Sequence, residues 1–306
     1  MTVFIVIVRD FILHMVNSLL SVLRVLLLSN WQGYRVPRAM KELLSRECII
    51  LGNGPSLKEA LKQADRFHGR TKICVNYFGR TEEFERIKPE IYLIASPEYF
   101  LKDDKQEYQD SRIETFRAIN EKTTWPMMLV VPQLARRQRA WQSYFTNPNI
   151  HLVYFNNTPI EGFQGFKNVA YRLRLGMPRP HNVLVACVWF AINLQFAKVY
   201  LLGADHSWLN EISVTQDNEV LIGQKHFYDQ QVTQQQNQVN KPAPKPMYKG
   251  TSNESRKLHE VIEKFFLSFR SYWELKAFAR YRAVEVINLT EGSFIDAFEK
   301  QSIDVL

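Results

Sequence analysis

The segment CIILGNGPSL, residues 48–57, places an uninterrupted apolar run directly before a glycine-rich turn and the start of a helix. The run at residues 48–51 favours a buried strand, and Gly52 and Gly54 permit a tight turn and close approach of another backbone. Pro55 suits the first turn of a helix, whose N-terminal N–H groups can bind an anion. The pattern is neither GxGxxG nor a P-loop, and a purely structural turn is the alternative.

The chain beyond residue 47 continues with short β-branched runs that alternate with amphipathic stretches. Strands are predicted at residues 48–51, 72–75, 91–94, 128–131, 150–155, 198–202 and 284–289. Helices are predicted between them at residues 57–66, 81–87, 112–122, 134–145 and 183–196. This alternation predicts an α/β fold, with a mostly parallel sheet and helices on both faces, in one domain of residues 47–306.

Residues 205–250 interrupt the alternation with a Gln-rich run and a Pro-rich run. A stretch of this length without a core pattern predicts a lid or an insertion within the domain. After it we predict a long amphipathic helix at about residues 252–280 and a short final helix at residues 293–300.

Residues 1–46 form an apolar and then basic segment, in which residues 11–29 carry a single formal charge. The apolar run is too long for a cleaved signal peptide and long enough to span a membrane. Its polar residues recur every three or four positions and share one helical face: Asp10, His14, Asn17, Ser21 and Arg24. We expect a membrane-associated helix, with the in-plane arrangement ahead of the spanning one. Docking on the body or on a second subunit is the alternative.

The net charge of +8 arises from 39 basic and 31 acidic residues, and two segments carry the excess. Residues 1–46 contain six basic and two acidic residues, and residues 129–181 contain seven basic and one acidic residue. The first segment would favour anionic headgroups of a cytoplasmic leaflet, and the second a phosphorylated substrate. Nucleic acid is the weakest partner class, because no basic stripe with interleaved aromatic residues is visible.

The three cysteines, Cys48, Cys74 and Cys187, lie far apart within apolar runs. Their spacing indicates neither a disulfide scaffold nor a cysteine zinc site. A reducing compartment is therefore expected.

The motif GNGPSLKE, residues 52–59, resembles the nucleotide-binding opening of the bacterial lipooligosaccharide sialyltransferases. It is also similar to motility-accessory glycosyltransferases and to archaeal-type 6-hydroxymethylpterin diphosphokinases, the MptE-like proteins. Further matches follow in order at residues 74–76, 96–97 and 183–205. The resemblance extends over about residues 47–290 and implies a Rossmann-like, GT-A-type nucleotide-binding domain.

The candidate nucleotide-binding residues lie mostly where predicted strands end. They are Gly52, Asn53, Gly54, Ser56, Asn76, Ser96, Asn182, Asp205 and Tyr248. Asp205 could hold a ribose hydroxyl or a metal, and Asn182 would cap the apolar helix that follows it. His181, beside Arg179, could contact a phosphate. The resemblance to the sialyltransferases implies no metal requirement, because those enzymes act without one.

The catalytic base departs from the pattern of the resembling sialyltransferases, because their histidine falls on Thr251 in this chain. Glycosyl transfer with inversion needs a base of near-neutral pKa to take the proton of the acceptor hydroxyl. The candidates are His226, on the predicted lid, and His206, after the strand that ends in Gly-x-Asp.

The leading hypothesis is a membrane-associated, sialyltransferase-like glycosyltransferase in cell-surface polysaccharide biosynthesis. It would transfer a sugar from a nucleotide sugar to a glycan or glycolipid acceptor at the cytoplasmic face of the inner membrane, without a further cofactor. Two alternatives stay open: an MptE-like diphosphokinase that uses ATP and Mg²⁺, and a nucleotide-binding scaffold without catalysis. The chain could also form a homo-oligomer, which the sequence does not decide.

Overall fold

A computed structural model describes residues 2–96, 99–100, 106–179, 181–229, 243–249 and 254–306. Its centre is a sheet of eight strands that pair in parallel, which confirms the predicted α/β class. These strands are β1 (Glu47–Leu51), β2 (Thr71–Val75), β3 (Ile91–Leu93), β4 (Met127–Pro132), β5 (Ile150–Phe155), β6 (Lys198–Leu202), β10 (Glu285–Asn288) and β11 (Glu299–Lys300). Across the sheet their order is β11-β10-β6-β1-β2-β3-β4-β5.

Both faces of the sheet are covered, which is why its central strands are continuously apolar. In β1, Cys48 and Ile50 belong to one core and Ile49 and Leu51 to the other, and all four are fully buried. Successive side chains of a strand point to opposite faces. The apolar run that precedes the glycine-rich turn is therefore what a central strand of a three-layer fold requires.

The helices follow the strands closely in the chain. They are α1 (Thr2–Leu28), α2 (Arg38–Leu43), α3 (Leu57–Leu61), α4 (Glu83–Ile87), α5 (Gln106–Lys122), α6 (Gln164–Arg172), α7 (Val183–Leu194) and α8 (Leu258–Arg282). Helix α7 packs on β1, β2 and β6, and α8 packs on α7. Leu57 of α3, Phe84 of α4 and Ile119 of α5 lie in the opposite core.

Two predicted helices differ from the structure. Residues 134–145 form two short 3-10 segments, Gln133–Arg137 and Arg139–Tyr144, and the indole N–H of Trp141 donates to Ala135 O at 2.8 Å. The final helix predicted at residues 293–300 is wrong: this segment is irregular and ends in β11. Backbone and side-chain contacts to the β6 end replace the helical bonds, since Phe294 N–H donates to Asp205 O at 2.9 Å.

The described part of residues 205–250 contains a second, small sheet. Its antiparallel strands are β7 (Ile212–Val214), β8 (Val220–Ile222) and β9 (Lys245–Pro246), in that order. Val220 and Ile222 pack on Val261 and Phe265 of α8. This region is therefore an ordered addition to the domain where it is described, and the Gln-rich run lies outside the described residues.

The polar face of α1 is docked on the loop before α6. Ser21 Oγ donates to Glu161 O at 3.1 Å and accepts from Glu161 N–H at 2.8 Å. Ser18 Oγ accepts from Phe163 N–H at 3.1 Å. Gly162, between Glu161 and Phe163 in the chain, lies so close to α1 that a Cβ there would be 2.1 Å from Ser18 Oγ. The stripe of polar residues predicted for this helix therefore faces the protein body, and its apolar residues face outward.

One carboxylate joins α1 to the rest of the fold. Glu161 accepts from Arg179 at 2.9 and 3.0 Å, from Arg24 of α1 at 3.1 Å and from Arg270 of α8 at 3.2 Å. Hydrogen bonds from Arg179 and Arg24 lower the pKa of Glu161 to about 2, against the opposing effect of burial. We call Glu161 with these three arginines the Glu161 cluster.

Candidate functional site

A cavity of about 520 Å³ opens at the carboxyl ends of β1, β2, β3 and β6. After β5 the chain returns to place β6 beside β1, so the strand order reverses at this point. Ligands of open α/β sheets bind at such a reversal. Eight predicted site residues line the cavity: Asn53, Gly54, Asn76, Ser96, Asn182, Asp205, His206 and His226.

Three predicted binding residues do not line this cavity. Gly52 packs on the turn after β6, and Ser56 bonds to Asp205 behind the cavity wall. Tyr248 pairs with Ser255 in an isolated bridge near the small sheet. Thr251, which stands where the resembling sialyltransferases have a histidine, lies outside the described residues.

The glycine-rich turn is shaped by contact with the turn after β6. Gly52 N–H donates to Leu202 O at 2.8 Å, and Gly54 N–H donates to Gly203 O at 2.9 Å. A Cβ on Gly52 would lie 2.5 Å from Gly203 O, so the two turns meet only because both positions lack a side chain. The glycines therefore bring β1 and β6 together at the reversal point.

Asp205 occupies the start of α3, where the sequence predicts N–H groups that are free for an anion. Its carboxylate accepts from Ser56 N–H at 3.2 Å and from Ser56 Oγ at 2.8 Å. Burial raises the pKa of Asp205, while the bonds from Ser56 oppose this shift. The expectation of free N–H groups is corrected here, because the carboxylate of the chain itself has taken the anion position.

Two asparagines at neighbouring strand ends line the cavity, and each has an acceptor that is not used within the protein. Asn53 Nδ2 donates to Val75 O at 3.1 Å, which fixes the amide so that Oδ1 is left over. Asn76 has φ +49°, a left-handed conformation that asparagine tolerates, directly after β2. The Oδ1 atoms of both residues are buried and have no hydrogen-bond partner within the described part of the chain.

His206 is a buried, neutral histidine. Its Nε2 lies 2.7 Å from Tyr272 Oη, and its ring packs on Trp208 with centroids 4.1 Å apart. Burial lowers the pKa of His206 to about 3. At neutral pH this ring therefore has little capacity to take up a proton from a substrate.

His226 lies beside a carboxylate at the cavity wall. Its Nδ1 lies 3.6 Å from Asp229 Oδ2, and the same carboxylate oxygen accepts from the His226 backbone N–H at 2.6 Å. The ring stacks on Tyr228 with an interplanar angle of 6°. Phe227 anchors this segment under the glycine-rich turn, because its N–H donates to Asn53 O at 3.1 Å and its ring contacts Phe78.

The start of α7 forms another wall of the cavity. Asn182 Oδ1 accepts from Leu184 N–H at 2.7 Å, which confirms the predicted cap. His181 lines the cavity, and burial together with the charges of Lys264 and Arg179 lowers its pKa. Arg179, the neighbour of His181 that the sequence analysis names, is bonded to Glu161.

Several lining residues were not predicted. They are Tyr77, Tyr99, Trp208, Glu211, Lys225 and Tyr228. Lys225 is paired with Glu211, so these two charges offset each other at the cavity wall. Tyr77 follows Asn76 directly, and Tyr228 follows His226 by two positions. Their closeness in the chain to candidate site residues was the sequence signal that could have predicted them as lining residues.

The described residues contain no group of three or more His, Cys, Asp or Glu side chains that could hold a metal ion. Cys48, Cys74 and Cys187 are buried free thiols, as the sequence predicts. Burial raises the pKa of each thiol, so they are protonated side chains of the core.

No family model and no curated protein matches the chain. Among solved structures, the chain is similar to the structure of MAf glycosyltransferase from Magnetospirillum magneticum AMB-1, with 13% sequence identity and a TM-score of 0.47. The similarity covers 91% of this chain and 36% of that chain, so this chain spans little more than a third of that protein. At this identity and TM-score we transfer no residue role from it.

Proposed function

We propose that the chain is a sialyltransferase-like glycosyltransferase of cell-surface polysaccharide biosynthesis. It binds a nucleotide sugar in the strand-end cavity and transfers the sugar to a glycan or glycolipid acceptor. The reaction takes place at the cytoplasmic face of the inner membrane. The observation that carries the proposal is the pair of buried, unpartnered Oδ1 atoms of Asn53 and Asn76 at adjacent strand ends.

Unpaired buried acceptors favour a ligand that brings hydrogen-bond donors. Leaving such an atom unsatisfied costs about 1–3 kcal/mol, which a bound N–H or O–H group recovers. The ribose hydroxyls and the base amino or imino groups of a nucleoside are donors of this kind. The cavity of about 520 Å³ is within the usual size range for such a ligand.

His226 is the base that the geometry favours. One imidazole nitrogen takes the proton of the acceptor hydroxyl while the hydroxyl oxygen forms a bond to the anomeric carbon of the donor sugar. The bond from that carbon to the phosphate oxygen breaks, and the nucleotide leaves with the electron pair. Asp229 near Nδ1 orients the ring and stabilises the imidazolium that forms. We do not assign this role to His206, because it is buried against Tyr272.

Ligand binding is tested first, by thermal denaturation of the purified chain with CMP-, UDP- and GDP-sugars. We expect one nucleotide class to raise the Tm, and Asn53→Ala to weaken that ligand about tenfold through loss of its hydrogen bond. Asn168→Ala, an amide on the outer side of α6 that does not line the cavity, serves as the matched control. No shift with any nucleotide sugar would refute the proposal. ATP-dependent release of AMP from 6-hydroxymethyl-dihydropterin would replace it with the diphosphokinase alternative.

Catalysis is tested with the donor that binds. His226→Ala is expected to lower turnover at least about a hundredfold while nucleotide affinity is retained. His259→Ala, an exposed histidine at the start of α8, should leave turnover unchanged. If a His206→Ala/His226→Ala double variant still complements a deletion strain, the scaffold alternative is correct instead.

A further inference from the structure

Helix α1 presents a continuous apolar surface on the side away from the body. Ile12, Val16, Leu19 and Leu23 lie on this side, and Leu19 is 64% exposed. The stretch Phe4–Leu28 has a mean hydropathy of 2.0, sufficient in length and composition to cross a membrane. Soluble monomers seldom leave an apolar surface of this extent in water, so a partner is expected to cover it.

The docked face restricts how a membrane can cover this surface. Contacts with the body run from Phe11, whose ring lies 5.3 Å from that of Phe163, to Ser29, whose Oγ donates to Thr158 Oγ1 at 2.8 Å. This distance along the helix is about 27 Å, nearly the thickness of a bilayer core. Residues 11–29, the stretch that is long enough to span a membrane, therefore lie alongside the body, and a spanning helix would have to give up the bonds to Glu161.

The segment that follows α1 in the chain carries exposed charges that complement an anionic surface. Arg35, Lys41 and Arg46 follow the helix and are exposed, as is Trp31 directly after its end. The end of α6 joins this region, because a Cβ on Gly33 would lie 3.0 Å from Arg174 Cβ. Exposed basic residues beside an apolar helix attract anionic headgroups, and an exposed tryptophan suits the headgroup level.

We propose that α1 lies in the plane of a membrane, with its apolar face in the lipid and its polar face bonded to the body. The partner is the surface of a bilayer that contains anionic lipid. This inference deepens the membrane placement in the proposed function and rests on that placement, but it does not depend on which nucleotide binds. The body is thus attached to the membrane through α1, and the Glu161 cluster fixes the orientation of the body relative to the lipid.

Vesicle co-sedimentation of the purified full chain tests the partner. We expect binding to phosphatidylcholine vesicles that contain phosphatidylglycerol, and weaker binding to phosphatidylcholine alone. Val16→Asp on the outer face of α1 should lower the partition coefficient at least about tenfold, because a charge replaces a lipid-facing side chain. The matched control is Val214→Asp on β7, an exposed valine outside α1, which should bind as the unmodified chain does.

A cross-link tests the in-plane arrangement. Phe11→Cys/Phe163→Cys, joined by a short bis-maleimide, would hold α1 against the body, and the native thiols are buried. We expect the cross-linked chain to bind vesicles within about twofold of the uncross-linked one, because the docked face is not the lipid face. Loss of binding on cross-linking, or failure to cross-link on vesicles, would show that the helix leaves the body and would overturn the proposal.

Two further outcomes would also overturn it. Equal vesicle binding by Val16→Asp and the unmodified chain would mean that the apolar face does not enter lipid. A second copy of the chain would be the partner if the unmodified protein is a dimer in solution, Val16→Asp dissociates that dimer, and neither the unmodified protein nor the variant binds vesicles. Thermal shifts by nucleotide sugars are measured without vesicles, so failure here leaves the nucleotide-binding proposal separately testable.

Discussion

Helices α1 and α7 are both strongly apolar, yet they are held in opposite ways. Of the twelve residues of α7, ten are buried, and they pack between the sheet and α8. In α1, by contrast, Ser21 and Val25 are the buried residues among those whose burial is described. The hydropathy of a helix therefore does not tell which of its faces packs against the rest of the protein.

The two attachments differ in physical character. Burial of apolar side chains holds α7, and this force is non-directional and grows with the area removed from water. Hydrogen bonds and ion pairs from one face hold α1, and these require specific atoms at specific distances. Substitutions of the same type should therefore have different effects in the two helices.

The largest contrast is expected from placing aspartate in each helix. Val188→Asp in α7 buries an unpaired charge and should cost more than about 4 kcal/mol, so that little folded protein is recovered. Val16→Asp in α1 should change the free energy of unfolding by less than about 0.5 kcal/mol, because that side chain is exposed. Urea unfolding followed by tryptophan fluorescence measures both, and similar losses would refute the contrast.

Removal of the carboxylate in the Glu161 cluster is expected to have the next largest effect. Glu161→Ala leaves Arg24, Arg179 and Arg270 facing one another and should lower the free energy of unfolding by about 2–3 kcal/mol. Glu42→Ala, which breaks the exposed pair with Arg38, should cost under about 0.5 kcal/mol. Equal effects of the two substitutions in urea unfolding would mean that the cluster is only a surface ion pair.

A single methyl group should separate α1 from the body. Gly162 has φ +116°, and a Cβ there would lie 2.7 Å from Ser18 N, so Gly162→Ala should cost about 1–2 kcal/mol. Gly165→Ala, where a Cβ meets nothing within 4 Å, is the control. Faster proteolysis within α1 in the Gly162→Ala protein would report the release, and unchanged proteolysis would contradict it.

A further expected effect is the contribution of Glu161 to acid stability. Because its pKa falls from 4.5 to about 2 on folding, the ionised group stabilises the fold fully above about pH 4.5 and less as the pH falls toward 2. The Tm difference between the unmodified chain and Glu161→Gln should therefore shrink between pH 6 and pH 2.5. A difference that stays constant over this range would show that the carboxylate charge does not hold α1.

The sheet was predictable because each strand carries its own signal. Residues 48–51 and 128–131 are continuous apolar runs, and each lies within a strand of the structure. The final helix failed because contacts from Ser293 and Phe294 to the β6 end outweigh local helical preference. Residues 134–145 keep a helical tendency, but only as two 3-10 turns, the second of which contains the buried Trp141.

The candidate site was predictable in part, because strand ends gather at one edge of a parallel sheet. Asn53, Asn76 and Asp205 each follow a strand and line the same cavity. Their separate roles were not predictable: Asp205 caps α3, while the two amides retain unused acceptors. His206 and His226 look alike in the sequence, and only burial against Tyr272 or proximity to Asp229 distinguishes them.

Three features follow from the order of residues in the chain: the α/β alternation, the glycine-rich turn after the first strand, and an apolar helix with one polar face. These features depend on residues that are near one another in the chain, and local periodicity encodes them. Contacts between distant parts of the chain place the Asp205 carboxylate in the anion position of the turn and the polar face of α1 against Glu161. Both contacts join residues more than a hundred positions apart, and no local pattern encodes which distant group will satisfy a given hydrogen bond.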